Sequence, residues 1–283
     1  RLLRSWGRDS VAAVSDQAYR AYVRGAAVTG HFRVTSAPPS GPGWLPYSAL
    51  DELLGRVAEA IPGASATVAA ALLATSMSAG FAAPVTGALL TDRHAPVPDP
   101  DDVWLHHSFT GVDAVAIGRC TLTVLPDDPL ASRPDMGGPD MGGPGVAVAA
   151  DLDELRRVVL DGYRAMLVPL VDRVAASTKR GRRALWADAG DRLATYLLLA
   201  GRARGDQAVG RAEADALLRL AEPPVRHDPA WLEFEHRGAT VIWKRRPVCC
   251  LVYQVPEWRG QLCATCPKVS TEETVTRTRD WLG

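Results

Sequence analysis

Apolar residues recur at spacings of three and four over several long stretches of the chain, which is the periodicity of amphipathic helices. The clearest example carries Leu152, Leu155, Val159 and Tyr163 along one face. The helices predicted in this way cover 8–28, 48–60, 151–176, 184–203 and 271–281. Helical structure is therefore expected to dominate the fold.

One uncharged stretch raises the question of a membrane span. Between Glu59 and Asp92 there are 32 residues without a charge. The stretch is rich in alanine, but proline, glycine, serine and threonine interrupt it. A spanning helix needs about 20 strongly apolar residues in succession. We therefore expect a buried helix near 65–80 rather than a membrane span.

Two parts of the chain have the alternating pattern of strands. Residues 112–117 and 120–125 alternate on either side of Gly118-Arg119, which predicts a hairpin with its turn at that dipeptide. Near the C-terminus, 239–243 and 248–255 also have strand character, which predicts a second hairpin.

The remaining segments are predicted as loops. Residues 92–102 are rich in proline and aspartate. Residues 126–145 have low complexity and repeat Pro-Asp-Met-Gly-Gly across 134–143, which favours a flexible loop.

The uneven order of helices and strands predicts an α+β fold. We expect it to be mainly helical, with a small antiparallel sheet and a C-terminal hairpin that carries the chemistry described below. On this basis we divide the chain into a mixed body, 1–236, and a C-terminal segment, 237–283, packed on it.

Composition excludes several classes of function. Lys+Arg and Asp+Glu number 32 each, so the net charge is zero, which argues against a general nucleic-acid-binding protein. Five cysteines in 283 residues are too few for a disulfide scaffold. Residues 1–30 show no secretory signal, and no G-x-G-x-x-G or P-loop motif is present. We therefore predict no flavin or nucleotide site.

Four of the cysteines lie within eighteen residues, in the pattern C-C-x12-C-x2-C. Cys263 and Cys266 form a C-x-x-C turn, which points two thiolates at one centre. Cys249 and Cys250 are adjacent, and neighbours in a regular strand point to opposite faces. Both can reach one site only if the backbone bends, and Pro247 fits such a break.

The spacing leaves two kinds of metal site open. A structural zinc ion can be held by four cysteines, usually from two separated C-x-x-C-like turns. A vicinal pair suits a two-metal centre better, because its sulfurs need not converge on one ion. The fifth cysteine, Cys120, lies in a strand pattern far upstream, and we interpret it as a core thiol.

The charge around the cysteines favours the iron–sulfur alternative. Four thiolates on a two-iron centre leave net negative charge, which flanking cations offset. Residues 237–268 contain one acidic residue, Glu257, and six basic residues, namely Arg237, Lys244, Arg245, Arg246, Arg259 and Lys268.

The stretch from Cys249 to Tyr253, followed by Cys263-Ala264-Thr265-Cys266-Pro267, resembles the signature of the siderophore-iron reductases of the FhuF family. The segment Ala184-Leu185-Trp186-Ala187-Asp188-Ala189-Gly190 is also similar to part of that family. The C-terminal similarity covers about 45 residues.

The resemblance implies that Cys249, Cys250, Cys263 and Cys266 hold a [2Fe-2S] cluster. It further implies a cytoplasmic protein that reduces ferric iron held by a siderophore, often a hydroxamate. The electron would come from a separate donor such as a ferredoxin or a reductase, and peripheral association with the membrane is left open. The alternatives are a zinc-stabilised interaction module without enzymatic activity and an iron–sulfur sensor.

The siderophore is expected to dock near the cysteines, because the electron must travel from the cluster to the iron. Trp258 offers an apolar face for the hydrocarbon spacers of a hydroxamate, or packs over the cluster instead. Arg259, Arg245 and Arg246 are candidates to bind anionic groups of the siderophore or of an acidic electron donor.

Overall fold

The computed structural model describes residues 6–30, 32–36, 43–108, 111–132 and 146–283. Within these ranges the chain forms seven α-helices and nine β-strands, which confirms the mainly helical α+β fold. The helices are α1 (Trp6–Thr29), α2 (Leu50–Ala60), α3 (Ala66–Asp92), α4 (Leu152–Ser177), α5 (Arg182–Ala203), α6 (Gln207–Leu220) and α7 (Thr271–Leu282). Sequence periodicity missed α6, the 14-residue helix that follows α5.

The uncharged stretch folds as α3, which is the central helix of the protein. Its first turn is capped by the Ser65 hydroxyl, which accepts a hydrogen bond from the Val68 N–H at 3.3 Å. α3 is long and apolar enough to cross a membrane, yet 89% of its most apolar stretch is buried inside the protein. The expected buried helix is confirmed, and it extends beyond the predicted 65–80.

The strands form three small sheets. The first has the order β1-β5-β4-β2, the second β3-β6-β7, and the third pairs β8 with β9. The strands are β1 (Arg33–Thr35), β2 (Trp44–Pro46), β3 (Ala95–Pro98), β4 (Val103–Ser108), β5 (Gly111–Ile117), β6 (Cys120–Val124), β7 (Val146–Val148), β8 (Ala230–His236) and β9 (Ala239–Arg245). The pairs β1–β5 and β6–β7 are parallel, so the sheets are mixed rather than only antiparallel.

The first predicted hairpin is wrong in its pairing, although both strands exist. β5 pairs with β4, and β6 pairs with β3, so the chain reverses between β4 and β5 and only bends at Gly118-Arg119. Arg119 is held at that bend by ion pairs with Asp99 and Asp102, at 2.9 and 3.1 Å.

The loop prediction for 92–102 is also partly wrong, because this segment contains β3. Its prolines are tolerated because β3 is an edge strand, where a missing N–H leaves no ladder bond unpaired. The repeat at 134–143 lies outside the described residues.

The C-terminal hairpin is formed by β8 and β9, not by 239–243 and 248–255. Arg237 and Gly238 connect the two strands with φ of 51° and 76°, the backbone of a tight hairpin turn. Beyond Arg245 the chain leaves the sheet, and 248–255 contains a 3-10 turn at Val252–Gln254 instead of a strand. The cysteines therefore lie in loops that follow the hairpin.

One continuous hydrophobic core runs through the described part of the chain. It includes α3, the inner faces of α4 and α5, and residues of the cysteine loops. Cys250, Val252 and Val255 are among its buried members. The cysteine loops are thus packed directly on the helical body.

Candidate functional site

The backbone around the vicinal cysteines bends as their spacing requires. Pro247 cannot continue the β9 ladder, because it has no N–H to donate. Leu251 adopts a left-handed conformation with a φ of 66°. Its N–H donates to the Cys249 sulfur at 3.4 Å. The bend predicted at this point is confirmed, and it lets two neighbouring thiols face the same partner segment.

That partner is the C-x-x-C turn. The Cys266 N–H donates to the Cys263 carbonyl at 3.1 Å, which closes the turn. The turn is tied to the end of the hairpin, because the Arg246 N–H donates to the Thr265 carbonyl at 3.1 Å. The spacer between the cysteine pairs forms two 3-10 turns, Val252–Gln254 and Pro256–Trp258.

The four thiols meet as two pairs. Cys250 lies beside Cys263 and Cys249 beside Cys266, and the two pairs are themselves close together. Each pair combines a buried cysteine, Cys250 or Cys266, with a partly exposed one. Among the described residues no three His, Cys, Asp or Glu side chains converge on one point to hold a single ion. Cys120 is buried in β6, as predicted, and is also a free thiol.

The surroundings of the thiols shift their pKa values in different directions. The hydrogen bond from Cys263 and the positive charge of Arg246 lower the pKa of Cys250. Its hydrogen bond to Cys250, together with burial, raises the pKa of Cys263. Burial also raises the pKa of Cys249. Of the neighbouring thiols Cys250 and Cys263, Cys250 is thus the one whose thiolate is favoured.

A buried ionic network lies behind the cysteines. Asp188 on α5 accepts a hydrogen bond from Arg246 at 2.6 Å and another from the Thr75 hydroxyl at 2.7 Å. Arg192, one turn along α5, is 3.4 Å from the same carboxylate. Burial raises the pKa of Asp188, but the charges of Arg192 and Arg246 outweigh it and bring the pKa below the ordinary value.

A second pair extends this network along α5. The Lys244 ammonium on β9 donates to the Asp191 carboxylate, and both side chains are buried. Burial lowers the pKa of Lys244 despite the opposing effect of Asp191. Sequence analysis assigned no role to Asp188 or Asp191. The pattern that could have indicated a buried ionic site is the presence of two aspartates, three residues apart, in a helix with many apolar residues.

The predicted docking residues fall into two groups. Arg245 donates to the carbonyls of Pro267 and Val269, at 3.2 and 2.6 Å, and Arg246 is committed to Asp188. Both arginines therefore hold the cysteine loops together. Trp258 is 41% exposed and Arg259 is also exposed, so these two side chains remain available at the surface.

A shallow cleft of about 390 Å³ borders the C-x-x-C turn. Ala264, which lies inside that turn, contributes to its wall, and Leu262 adds an apolar surface. Arg277 lines the cleft, donates to the Leu262 carbonyl at 2.9 Å and pairs with Glu273 at 2.5 Å. The cleft also includes Asp280, so its charges are balanced.

Comparisons with protein-family models, curated proteins and solved structures find no match for this chain.

Proposed function

We propose that this protein reduces siderophore-bound ferric iron with one electron from a [2Fe-2S] cluster held by Cys249, Cys250, Cys263 and Cys266. The observation that carries the proposal is the arrangement of these thiols as two contacting pairs on a bent backbone. The resemblance of the same residues to a family of siderophore-iron reductases also supports it.

Two kinds of metal centre could use these four thiols. A single tetrahedral zinc ion, with Zn–S bonds of about 2.3 Å, needs four sulfurs about 3.8 Å from one another. Cys250 lies beside Cys263 and Cys249 beside Cys266, so each pair joins one cysteine of the vicinal pair to one of the C-x-x-C turn. A two-iron cluster takes two thiolates on each iron. Two such pairs can supply two thiolates to each iron, and for this reason we propose a two-iron cluster; metal analysis decides between it and a single zinc ion.

The residues around the thiols also suit a metal cluster. Arg246 brings positive charge to Cys250 and favours its thiolate, the form that binds metal. Val252, Val255 and Val269 are buried beside the cysteine loops and limit access of water. Arg245 and Arg246 fix the C-x-x-C turn through backbone carbonyls.

The reaction follows from the preferences of the metal. When bound, a [2Fe-2S] cluster supplies one electron at a time. Ferric iron is a hard ion that hydroxamate oxygens bind tightly, and ferrous iron binds them far more weakly. The substrate iron takes up one electron, its bonds to the siderophore weaken and it leaves as ferrous iron. The cleft beside Ala264, with the exposed Trp258 nearby in sequence, is the proposed siderophore site.

We place the reaction in the cytoplasm. None of the five cysteines forms a disulfide, which fits a reducing compartment. The sequence contains no flavin or nucleotide motif, so the proposal includes a separate protein as electron donor.

The first test is the metal content of the protein purified without oxygen. We expect a red-brown protein with two irons and two acid-labile sulfides per chain. Serine substitution of Cys250 or Cys266 should abolish or strongly alter the visible spectrum, because each supplies a buried ligand. Cys120→Ser is the matched control and should keep the wild-type spectrum, since Cys120 lies in the β6 core. A colourless protein with one zinc per chain would contradict the proposal.

The second part of the test follows the reaction itself. The chemically reduced protein is mixed with a ferric trihydroxamate in the presence of a ferrous chelator. We expect reoxidation of the protein and ferrous iron in a ratio of one to one. A protein that keeps its reduced spectrum in the presence of the ferric complex would exclude the reductase and favour an iron–sulfur sensor.

A further inference from the structure

The turn between α4 and α5 concentrates positive charge. Residues 179–183 read Lys-Arg-Gly-Arg-Arg. Arg182 pairs with Asp172 at 3.0 Å, and no other ion pair of this turn occurs among the described residues. Lys179 and Arg183 are exposed, so their charges face solvent. The whole chain has no net charge, so this turn is a local excess of positive charge.

The fold places this turn beside the cysteines. The Arg180 guanidinium donates to the Cys249 carbonyl at 2.8 Å, so the turn is joined to the vicinal pair across 69 residues of sequence. Cys249 is the partly exposed member of its thiol pair. Any partner that covers this turn therefore comes close to the exposed edge of the cysteine site.

A second cation lies on the same edge. The Lys268 ammonium donates to the Tyr253 hydroxyl at 2.7 Å and lies 4.2 Å from the centre of its ring. Lys268 follows Cys266 by two residues, so it lies beside the C-x-x-C turn. The chain has only three lysines, at 179, 244 and 268, and Lys244 is buried. Both exposed lysines therefore flank the cysteine site.

We infer that Lys179, Arg180, Arg183 and Lys268 form the docking surface for an acidic one-electron carrier protein. This inference rests on the proposed function, because it names the partner that reduces the cluster. Lys179, Arg183 and Lys268 are exposed, whereas the half-buried Arg180 joins the turn to Cys249. None of the four lines the cleft beside Ala264, where the charges are balanced. An exposed cationic face attracts an acidic protein from a distance and orients it with its own redox centre toward the cysteines.

The chain's lysine content allows a direct test. Carbodiimide joins a lysine amine to a carboxylate only where the two are in contact. The probe is an oxidised plant-type ferredoxin, mixed with the whole protein at low ionic strength. We expect cross-links at Lys179 and Lys268, and we expect 0.5 M salt to abolish them because the Debye length then falls below about 5 Å.

A control variant measures non-specific cross-linking. Arg204→Lys places an amine at the exposed far end of α5, about 33 Å along the helix from Arg182 at 1.5 Å per residue. We expect cross-linking at position 204 to be at least tenfold weaker than at Lys179. Charge reversal by Lys179→Glu with Arg183→Glu should weaken the complex about tenfold at low salt, whereas Arg204→Glu should not.

The outcomes separate the two proposals. Equal cross-linking at 204 and 179, or cross-links that persist in high salt, would overturn the docking surface even if the protein is a competent reductase. A specific, salt-sensitive cross-link to a protein without a cluster would support the surface and reject the proposed function. Cross-linking and affinity do not depend on reduction of the siderophore.

Discussion

The buried carboxylate of Asp188 pairs with Arg192 and Arg246 and accepts a hydrogen bond from the Thr75 hydroxyl. Asp188→Asn keeps the shape but removes the charge, so Arg246 and Arg192 would lose their buried counterion. Breaking a buried ion pair on one side costs about 3 kcal/mol or more. We expect a loss of this size in the free energy of unfolding, measured by urea denaturation at neutral pH.

The control for this prediction is an exposed pair of the same chemistry. Asp172→Asn removes the counterion of Arg182, whose side chain is 62% exposed, and should cost less than about 1 kcal/mol. The pKa of Asp188 is lowered in the folded state, so its contribution is complete at neutral pH and declines as the pH falls below about 4. A stability difference that does not change between pH 7 and pH 3 would contradict this account.

Residue-level prediction succeeded where the chemistry is local in sequence. The cysteine motif predicted a bend after Pro247, and the left-handed Leu251 provides it. The partner of Asp188 could not be predicted in the same way. Arg246 lies 58 residues away, and only the packing of β9 on α5 brings the two together. Arg245 likewise donates to the carbonyl of Val269, 24 residues away, which no local pattern predicts.

At the scale of elements, the crossing of α1 and α3 depends on two glycines. A Cβ on Gly25 would lie 1.9 Å from the Pro84 carbonyl oxygen, and a Cβ on Gly87 would lie 2.1 Å from that of Gly25. Both obstacles are backbone atoms, so the helices would have to separate. We expect Gly87→Ala to destabilise the protein by about 3 kcal/mol.

A glycine whose added Cβ would meet no other atom should show the opposite effect on stability when it is replaced by alanine. Gly55 is an exposed residue of α2, and a Cβ there meets nothing within 4 Å. Gly55→Ala should stabilise the protein by about 0.5 to 1 kcal/mol, because alanine loses less backbone entropy in a helix. Thermal unfolding of the two variants should therefore shift in opposite directions. Equal shifts would contradict the close approach of α1 and α3.

Sequence patterns predicted the elements better than their pairing. The periodicity of three and four located α4 and α5 almost to their ends, because a helix is held by local contacts. Strands depend on distant partners, and for this reason β5 and β6 were found but paired wrongly. Alternation from Trp231 to His236, followed by Arg237-Gly238, was sufficient to predict the β8–β9 hairpin but was missed.

At the scale of the whole molecule, the C-terminal segment completes the helical body. It supplies Lys244 and Arg246 to the aspartates of α5, and it adds Cys250 and Val255 to the common core. The division of the chain at 236 and 237 stays a prediction. These contacts indicate that neither part satisfies its buried groups alone, since unpaired buried carboxylates are strongly unfavourable.

Truncation after residue 236 tests that interdependence. The shortened chain would leave β8 without β9, and Asp188 and Asp191 without Arg246 and Lys244. We expect it to lack a cooperative unfolding transition, measured by near-ultraviolet circular dichroism during urea titration. Adding Asp188→Asn and Asp191→Asn to the truncated chain should restore part of the transition, because the uncompensated charges are then removed. A truncated chain that unfolds cooperatively without these substitutions would instead establish 1–236 as an independent domain.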